Sequence, residues 1–121
     1  MKIEGTCGHR EVSSLDELHQ LLLSRDGDFS EFWLGGRKFP ALAIHTRGDL
    51  AYLHFFSAER HPGFQAVGDV GSGEDVTFKQ KGHGDFSMPR AFVVSIEQAY
   101  RAAAEFFTSL RLPSCVRWTE L

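Results

Sequence analysis

The chain has 121 residues, of which 42% are hydrophobic and 24% are charged. A chain of this length can build its own core without a metal or a disulfide, and its mixed composition excludes disorder. The net charge is −3 at pH 7, without a large cluster of Lys and Arg, so nucleic acid is a poor candidate partner. We expect residues 1–121 to form a single domain.

The first residues carry one positive charge and no apolar run follows them, which predicts that no secretory signal is present. No stretch approaches the roughly 18 apolar residues of a membrane span. The sequence therefore predicts a soluble, cytoplasmic protein. Cys7 and Cys115 stand alone, without CxxC spacing, and are expected to be free thiols rather than a disulfide or a zinc site.

The first predicted element is a helix. Ser14 and Glu17 have the spacing of a capping box, and leucines then recur at helical intervals until Gly27 interrupts the pattern. These features predict a helix over residues 15–25. Two extended segments follow at 31–34 and 41–45.

Residues 50–56 are apolar on both faces, as a central strand would be, and Gly48-Asp49 before them is a hairpin signal. If the strands on either side of this hairpin pair, their side chains alternate between the two faces of the sheet, and the residues on each face can be predicted. One face carries Leu42, Ile44, Leu53 and Phe55, and the other carries His45, Tyr52, His54 and Phe56.

The second half of the chain supplies further strands at 63–67 and 76–79, joined by the Gly68–Gly73 turn. After a short apolar strand, Ser95 opens a second capping box, and apolar residues at the spacing of one helix face predict a helix to Leu110 that Pro113 ends. A closing strand contains Trp118. The predicted fold is α+β, a mostly antiparallel sheet of five or six strands with two helices packed on it, the C-terminal helix being followed by the closing strand.

The sequence offers little catalytic chemistry. Its six histidines form no HxH or HExxH pattern, and no GxSxG motif supplies a nucleophile. The Gly68–Gly73 segment is not followed by the Lys and Ser/Thr of a phosphate-binding loop, and Glu74 and Asp75 would repel phosphates. We therefore predict no catalytic residue, no metal and no cofactor, and hence a protein that is not an enzyme.

Trp33, Trp118 and Glu120 have two possible roles. A tryptophan fills a core well, but an exposed tryptophan beside a carboxylate is also a typical interface anchor. Trp118 and Glu120 lie two residues apart on the predicted closing strand, so they share a face, and Glu120 needs water or a partner such as an Arg of this chain. The pattern alone leaves both roles open.

Several short motifs resemble those of immunity protein family one of bacterial polymorphic toxin systems. They are Pro40-Ala-Leu42-Ala-Ile44, Gly48-Asp49-Leu-Ala51-Tyr-Leu53, Gly63-Phe64, Val76-Thr-Phe78, Ala99 with Ala103, Phe106-Phe107, Pro113, Val116 and Trp118-Thr-Glu120. The resemblance covers residues 31–121 and implies an α+β fold that closes on a Trp-x-Glu element. Two positions depart from the family pattern: Ser95 stands where a proline is expected, and Leu110-Arg111 where a glycine usually ends the helix.

The resemblance implies a cytoplasmic immunity protein that binds and neutralises a cognate toxin, often a nucleic-acid deaminase, by occluding its active site. Exposed carboxylates and aromatic rings suit that role, because they complement a cleft built for nucleic acid. The candidate partner-binding residues are Asp69, Glu74, Asp75, Asp85, Trp33, Trp118 and Glu120.

Two other classes remain open: a small ligand-binding or enzymatic domain that uses His45, Tyr52 and His54 as a pocket lining, and a structural subunit or secretion adaptor. The sequence does not identify the toxin's activity, the mode of inhibition, or whether the free protein is a monomer or a weak dimer.

Overall fold

The computed structural model describes residues 1–36, 38–68 and 70–121. In chain order, the elements of these residues are β1 (Lys2–Gly5), β2 (Gly8–Glu11), α1 (Leu15–Leu23), β3 (Phe29–Leu34), β4 (Ala41–Arg47), β5 (Leu50–Phe56), β6 (Phe64–Val67), β7 (Val76–Gln80), β8 (Gly84–Met88), a 3-10 turn (Arg90–Phe92), β9 (Val94–Ser95), α2 (Ile96–Ser109) and β10 (Arg117–Glu120). Neither of these helices combines the length and the apolar character that crossing a membrane requires.

Eight of the described strands form one antiparallel sheet. Its order is β10-β6-β5-β4-β3-β1-β2, and β9 pairs with the end of β5. Strands β3, β4 and β5 are joined as consecutive hairpins, and Gly48, at φ +56°, supplies the left-handed residue of the β4–β5 turn. The predicted α+β class is confirmed, with more strands than the five or six predicted.

The extra strands include β1 and β2, which sequence analysis missed. They are short and carry mostly polar side chains, with Ile3 as the only fully buried residue of the pair. What holds them is backbone pairing: β1 lies between β2 and β3. The pattern of apolar residues therefore could not reveal these two strands.

Strands β7 and β8 form a separate two-stranded sheet, here called the β7–β8 hairpin. The prediction that residues 76–79 extend the main sheet is therefore wrong. Val76 and Phe78 are buried together with Tyr52 of β5, so the hairpin packs on a face of the main sheet rather than at its edge. The predicted Gly68–Gly73 turn contains Asp69, which lies outside the described residues.

Both helices begin at the predicted caps. The Ser14 hydroxyl accepts a hydrogen bond from the Glu17 amide at 3.2 Å, and Ser95 forms a full capping box with Gln98. Helix α1 ends at Leu23, two residues before the predicted end. Helix α2 ends at Ser109, and Leu110 caps it in a left-handed conformation.

The central register confirms the two predicted faces. Leu42 pairs with Phe55 and Ile44 with Leu53, and all four side chains pack with buried residues of both helices, including Leu18 and Phe106. The opposite face carries Tyr52, over which the β7–β8 hairpin lies. The sheet thus separates a large core on the helix side from a smaller one on the hairpin side.

Candidate functional site

The β7–β8 hairpin is fixed to the sheet by a cluster of aromatic rings. The ring of Tyr52 lies 6.3 Å from that of Phe78 and 5.6 Å from that of Phe86, while the two phenylalanine rings are 5.8 Å apart. Burial raises the pKa of Tyr52 to about 12, so its hydroxyl stays protonated and donates to Gln65 Oε1 at 3.0 Å. The hairpin is thus a fixed part of this face of the protein.

A buried polar pair lies beneath the tip of the hairpin. Glu31 is 3% exposed and His45 is 4% exposed, with Oε2 of Glu31 located 3.5 Å from Nδ1 of His45. Burial lowers the pKa of His45 to about 4, so the imidazole is neutral at neutral pH. Its Nδ1 faces the Lys79 carbonyl oxygen at 3.4 Å, a contact in which the ring nitrogen must donate.

Glu31 ties the hairpin tip to the sheet. Its Oε1 accepts a hydrogen bond from the Lys81 amide at 3.3 Å, and the Lys81 ammonium reaches the Gly5 carbonyl oxygen at 3.5 Å. Thr6 holds the Glu31 backbone, because its hydroxyl oxygen accepts from the Glu31 amide at 3.1 Å. These contacts position the residues 81–83 beside strand β1.

An open groove of about 730 Å³ runs between the hairpin tip, strands β1 and β2 and the loop after β3. Its lining includes Glu4, His9, Glu31, Trp33, Phe39 and Lys81, and we call it the tryptophan groove. Nδ1 of His9 lies 3.2 Å from Oε1 of Glu4 on its rim. The groove combines aromatic rings with charged side chains, and such a combination is common in protein-binding surfaces.

Trp33 belongs to a row of stacked rings on this face. Its ring stacks on Phe56 with centroids 5.3 Å apart, and Phe56 stacks on His54 at 4.0 Å. The row is partly open to solvent, since all three residues are half-buried. Burial lowers the pKa of His54, whose Nε2 donates to the Pro62 carbonyl oxygen at 2.8 Å. A rigid aromatic surface of this kind loses little entropy when a partner covers it.

The predicted acidic candidates are separated along the hairpin. Asp85 lies near its tip and lines a second cleft of about 590 Å³ together with Asp26 and Asp28. Glu74 and Asp75 are exposed just before β7, at the opposite end of the hairpin. Asp69, the fourth candidate, lies outside the described residues.

Trp118 and Glu120 lie on β10, at the edge of the sheet far from the tryptophan groove in strand order. The Trp118 indole donates to the Pro113 carbonyl oxygen at 2.6 Å, and its ring lies 6.3 Å from that of Phe55. Glu120 Oε2 accepts from His61 Nε2 at 2.7 Å, so its partner is a histidine and not the arginine suggested by the sequence. Both side chains thus fasten loops of this chain.

The histidine and tyrosine face of the alternative hypothesis is mostly covered. His45 and Tyr52 share a face with His54 as predicted, but both are 4% exposed beneath the hairpin. Among the described residues, no group of three His, Cys, Asp or Glu side chains is placed to hold a metal ion.

Sequence analysis missed several groove residues, among them Glu4, His9 and Phe39. They lie on β1, on β2 and in the loop between β3 and β4, where no apolar repeat marks an element. The polar residues of β2 are the one sequence feature that points to these positions, since they are consistent with an exposed edge strand.

Comparison with known proteins identifies the family of this chain. The model of the family described as Immunity protein Imm1 matches residues 7–120. A double-stranded DNA deaminase immunity protein from Burkholderia cenocepacia (strain H111) is 30% identical over 118 residues, a match that covers 94% of each chain. The residues that match the family model include every described element from β2 to β10.

Proposed function

The chain belongs to the Imm1 family of immunity proteins, and from this membership we propose that it binds and neutralises a cognate toxin that deaminates DNA. The proposal that the partner is a DNA deaminase rests on one observation, the similarity to a double-stranded DNA deaminase immunity protein over nearly the whole chain. We propose that the protein acts in the cytoplasm, as one domain of residues 1–121, by binding alone and without catalysing a reaction.

The proposed mode of inhibition is occlusion of the toxin's DNA-binding cleft. A DNA deaminase must hold the phosphate backbone with basic groups and accept an extruded base in a pocket. A surface that offers carboxylates and aromatic rings competes for both kinds of contact. The net charge of −3 favours encounter with such a basic cleft.

We propose that the binding surface centres on the tip of the β7–β8 hairpin. Trp33 lines the groove on one side of the tip and Asp85 lines the cleft on the other, and both cavities share the Gln80–Gly82 backbone segment. Glu31 fixes this tip from below through the Lys81 amide. The tip is pre-positioned between a groove with aromatic side chains and a cleft that carries Asp26, Asp28 and Asp85 beside Lys79 and Lys81. This supports tight binding, because little ordering is needed on association.

Glu74 and Asp75 extend the proposed surface along the hairpin. They stay candidates of second rank, because they lie at its far end. Asp69, Trp118 and Glu120 also stay candidates from the sequence, although the side chains of Trp118 and Glu120 already bond within the chain.

The test uses the protein and the toxin domain encoded beside it, purified together and separately. We expect a stable complex and loss of deamination of double-stranded DNA when the immunity protein is present. Trp33→Ala should weaken the complex by about 1–2 kcal/mol, and Asp85→Lys should slow association most at low salt. Asp16→Lys is the matched control, since Asp16 is exposed on helix α1, on the opposite side of the sheet.

Absence of a complex, or deamination that proceeds unchanged in its presence, would contradict the proposed function. If the complex forms but Trp33→Ala and Asp85→Lys behave like Asp16→Lys, the function stands and the placement of the surface is wrong.

A further inference from the structure

The C-terminal end of helix α2 carries a leucine where glycine is favoured. Leu110 has φ 57° and ψ 28°, and among the described residues it is the only one other than glycine with a positive φ. Its Cβ makes this left-handed conformation unfavourable, whereas glycine adopts it freely. Leu110 is 52% exposed, so little packing within the chain offsets that cost. Such a residue is a starting point for a functional hypothesis.

Leu110 lies over an apolar groove of about 590 Å³ at the end of helix α2. The apolar side chains that line it are Met1, Val12, Phe39, Pro40, Phe107 and Leu110. Phe39 is 44% exposed, which makes it another large hydrophobic side chain left open at this groove. Large apolar side chains gathered around one concavity mark a surface that a partner covers.

The rim of this groove is basic although the whole chain has a net charge of −3. Lys2 and Lys38 are exposed along it. Glu11 is the one carboxylate among the described residues that line the groove, so the two lysines outnumber it. A segment that enters the groove is therefore favoured if it carries acidic side chains next to an apolar one.

The same groove is continuous with the surface already proposed to meet the toxin. Phe39 lines both the apolar groove and the tryptophan groove, and its ring lies 6.5 Å from that of Phe56 in the row that contains Trp33. A partner that covers Trp33 and Phe39 thus reaches the edge of the groove that Leu110 lines.

We infer that the apolar groove is a second anchor site for the toxin, and that it receives an apolar side chain flanked by carboxylates on the toxin's surface. This inference rests on the proposed function. It assigns Leu110 and Phe39 to the interface and gives the groove a partner chemistry opposite to that proposed for Asp85.

The deciding variant is Leu110→Gly, because it separates stability from binding. Glycine relieves the backbone strain, so the variant should unfold at the same or a higher temperature than the wild type. It also removes the proposed anchor, so its affinity for the toxin domain should fall about fivefold or more. Phe39→Ala should weaken binding similarly. Leu23→Ala is the control, since Leu23 is 51% exposed on helix α1 and does not line this groove.

Calorimetric titration of each variant with the toxin domain reads out the affinities. If Leu110→Gly and Phe39→Ala bind as tightly as Leu23→Ala while wild type still neutralises the toxin, the second anchor is refuted and the proposed function survives. If wild type forms no complex, the proposed function itself fails.

Two further outcomes test the partner chemistry. Lys38→Glu should weaken binding more at low salt than at high salt, and an unchanged or tighter complex would refute the acidic flank. In sedimentation experiments, the isolated protein should not self-associate through the groove, so Leu110→Gly should leave its oligomeric state unchanged. Self-association of the wild type that Leu110→Gly abolishes is the contrary result. Such association would assign the groove to a second copy of this chain and overturn the inference.

Discussion

Replacing Trp118 should reveal whether the closing strand serves the fold or the partner. Its indole N–H donates to the Pro113 carbonyl oxygen at 2.6 Å, a bond that Trp118→Phe removes while an aromatic ring is kept. Losing this partly buried bond should cost about 1 kcal/mol of unfolding free energy. Trp118→Ala also removes packing against Phe55, and because the ring is only half-buried we expect about 3 kcal/mol in total, the lower end of the range for Trp→Ala.

The assay is urea unfolding at pH 7, followed by titration of the folded variants with the toxin domain. The structural role of Trp118 predicts that Trp118→Phe loses stability and keeps its affinity. Trp33→Phe is the matched control, because it makes the same Trp-to-Phe substitution in the tryptophan groove. The reasoning is refuted if Trp118→Phe unfolds at the wild-type urea concentration, or if either Trp118 variant loses affinity without losing stability.

Two further predictions concern stability. Burial lowers the pKa of His45 from 6.5 to about 4, so the unfolded state binds more protons between these values. The free energy of unfolding should fall by at most about 2 kcal/mol from pH 7 to pH 5, because the Glu31 carboxylate 3.5 Å away favours the charged imidazole, and His45→Gln should flatten that slope in urea titrations. An equally steep slope in the variant would contradict this. A Cβ at Gly68 would lie 1.6 Å from the Val93 carbonyl oxygen, so Gly68→Ala should cost about 2–4 kcal/mol. Gly27→Ala, with nothing within 4 Å, should stay within about 0.5 kcal/mol, and equal urea midpoints would refute the contrast.

The central sheet and both helices could be predicted because their apolar residues repeat with a clear period. Leu42, Ile44, Leu53 and Phe55 alternate along paired strands, and the capping serines mark where the helices begin. Strands β1 and β2 could not be predicted, since they are held by backbone hydrogen bonds that any side chain allows.

The position of the β7–β8 hairpin also could not be predicted from the sequence. Val76 and Phe78 alternate with less buried residues in the same way whether the strand joins the sheet edge or packs on its face. Contact with Tyr52 decides between the two, and that contact depends on the whole fold.

The candidate site was only partly readable for a similar reason. Trp33 was a candidate because an aromatic residue is informative by its type, and the structure places it in a groove. Phe39 depends on the path of a loop, and the strain at Leu110 depends on a backbone angle that no residue type reveals. Surface anchors of this kind become visible only once the chain is folded.

The sheet divides the interior into two hydrophobic clusters that share no residue. A substitution on the hairpin side therefore has few routes by which to disturb the packing around Phe106 on the helix side. Residues on the outward side of the hairpin can thus be exchanged while the helical half keeps its packing.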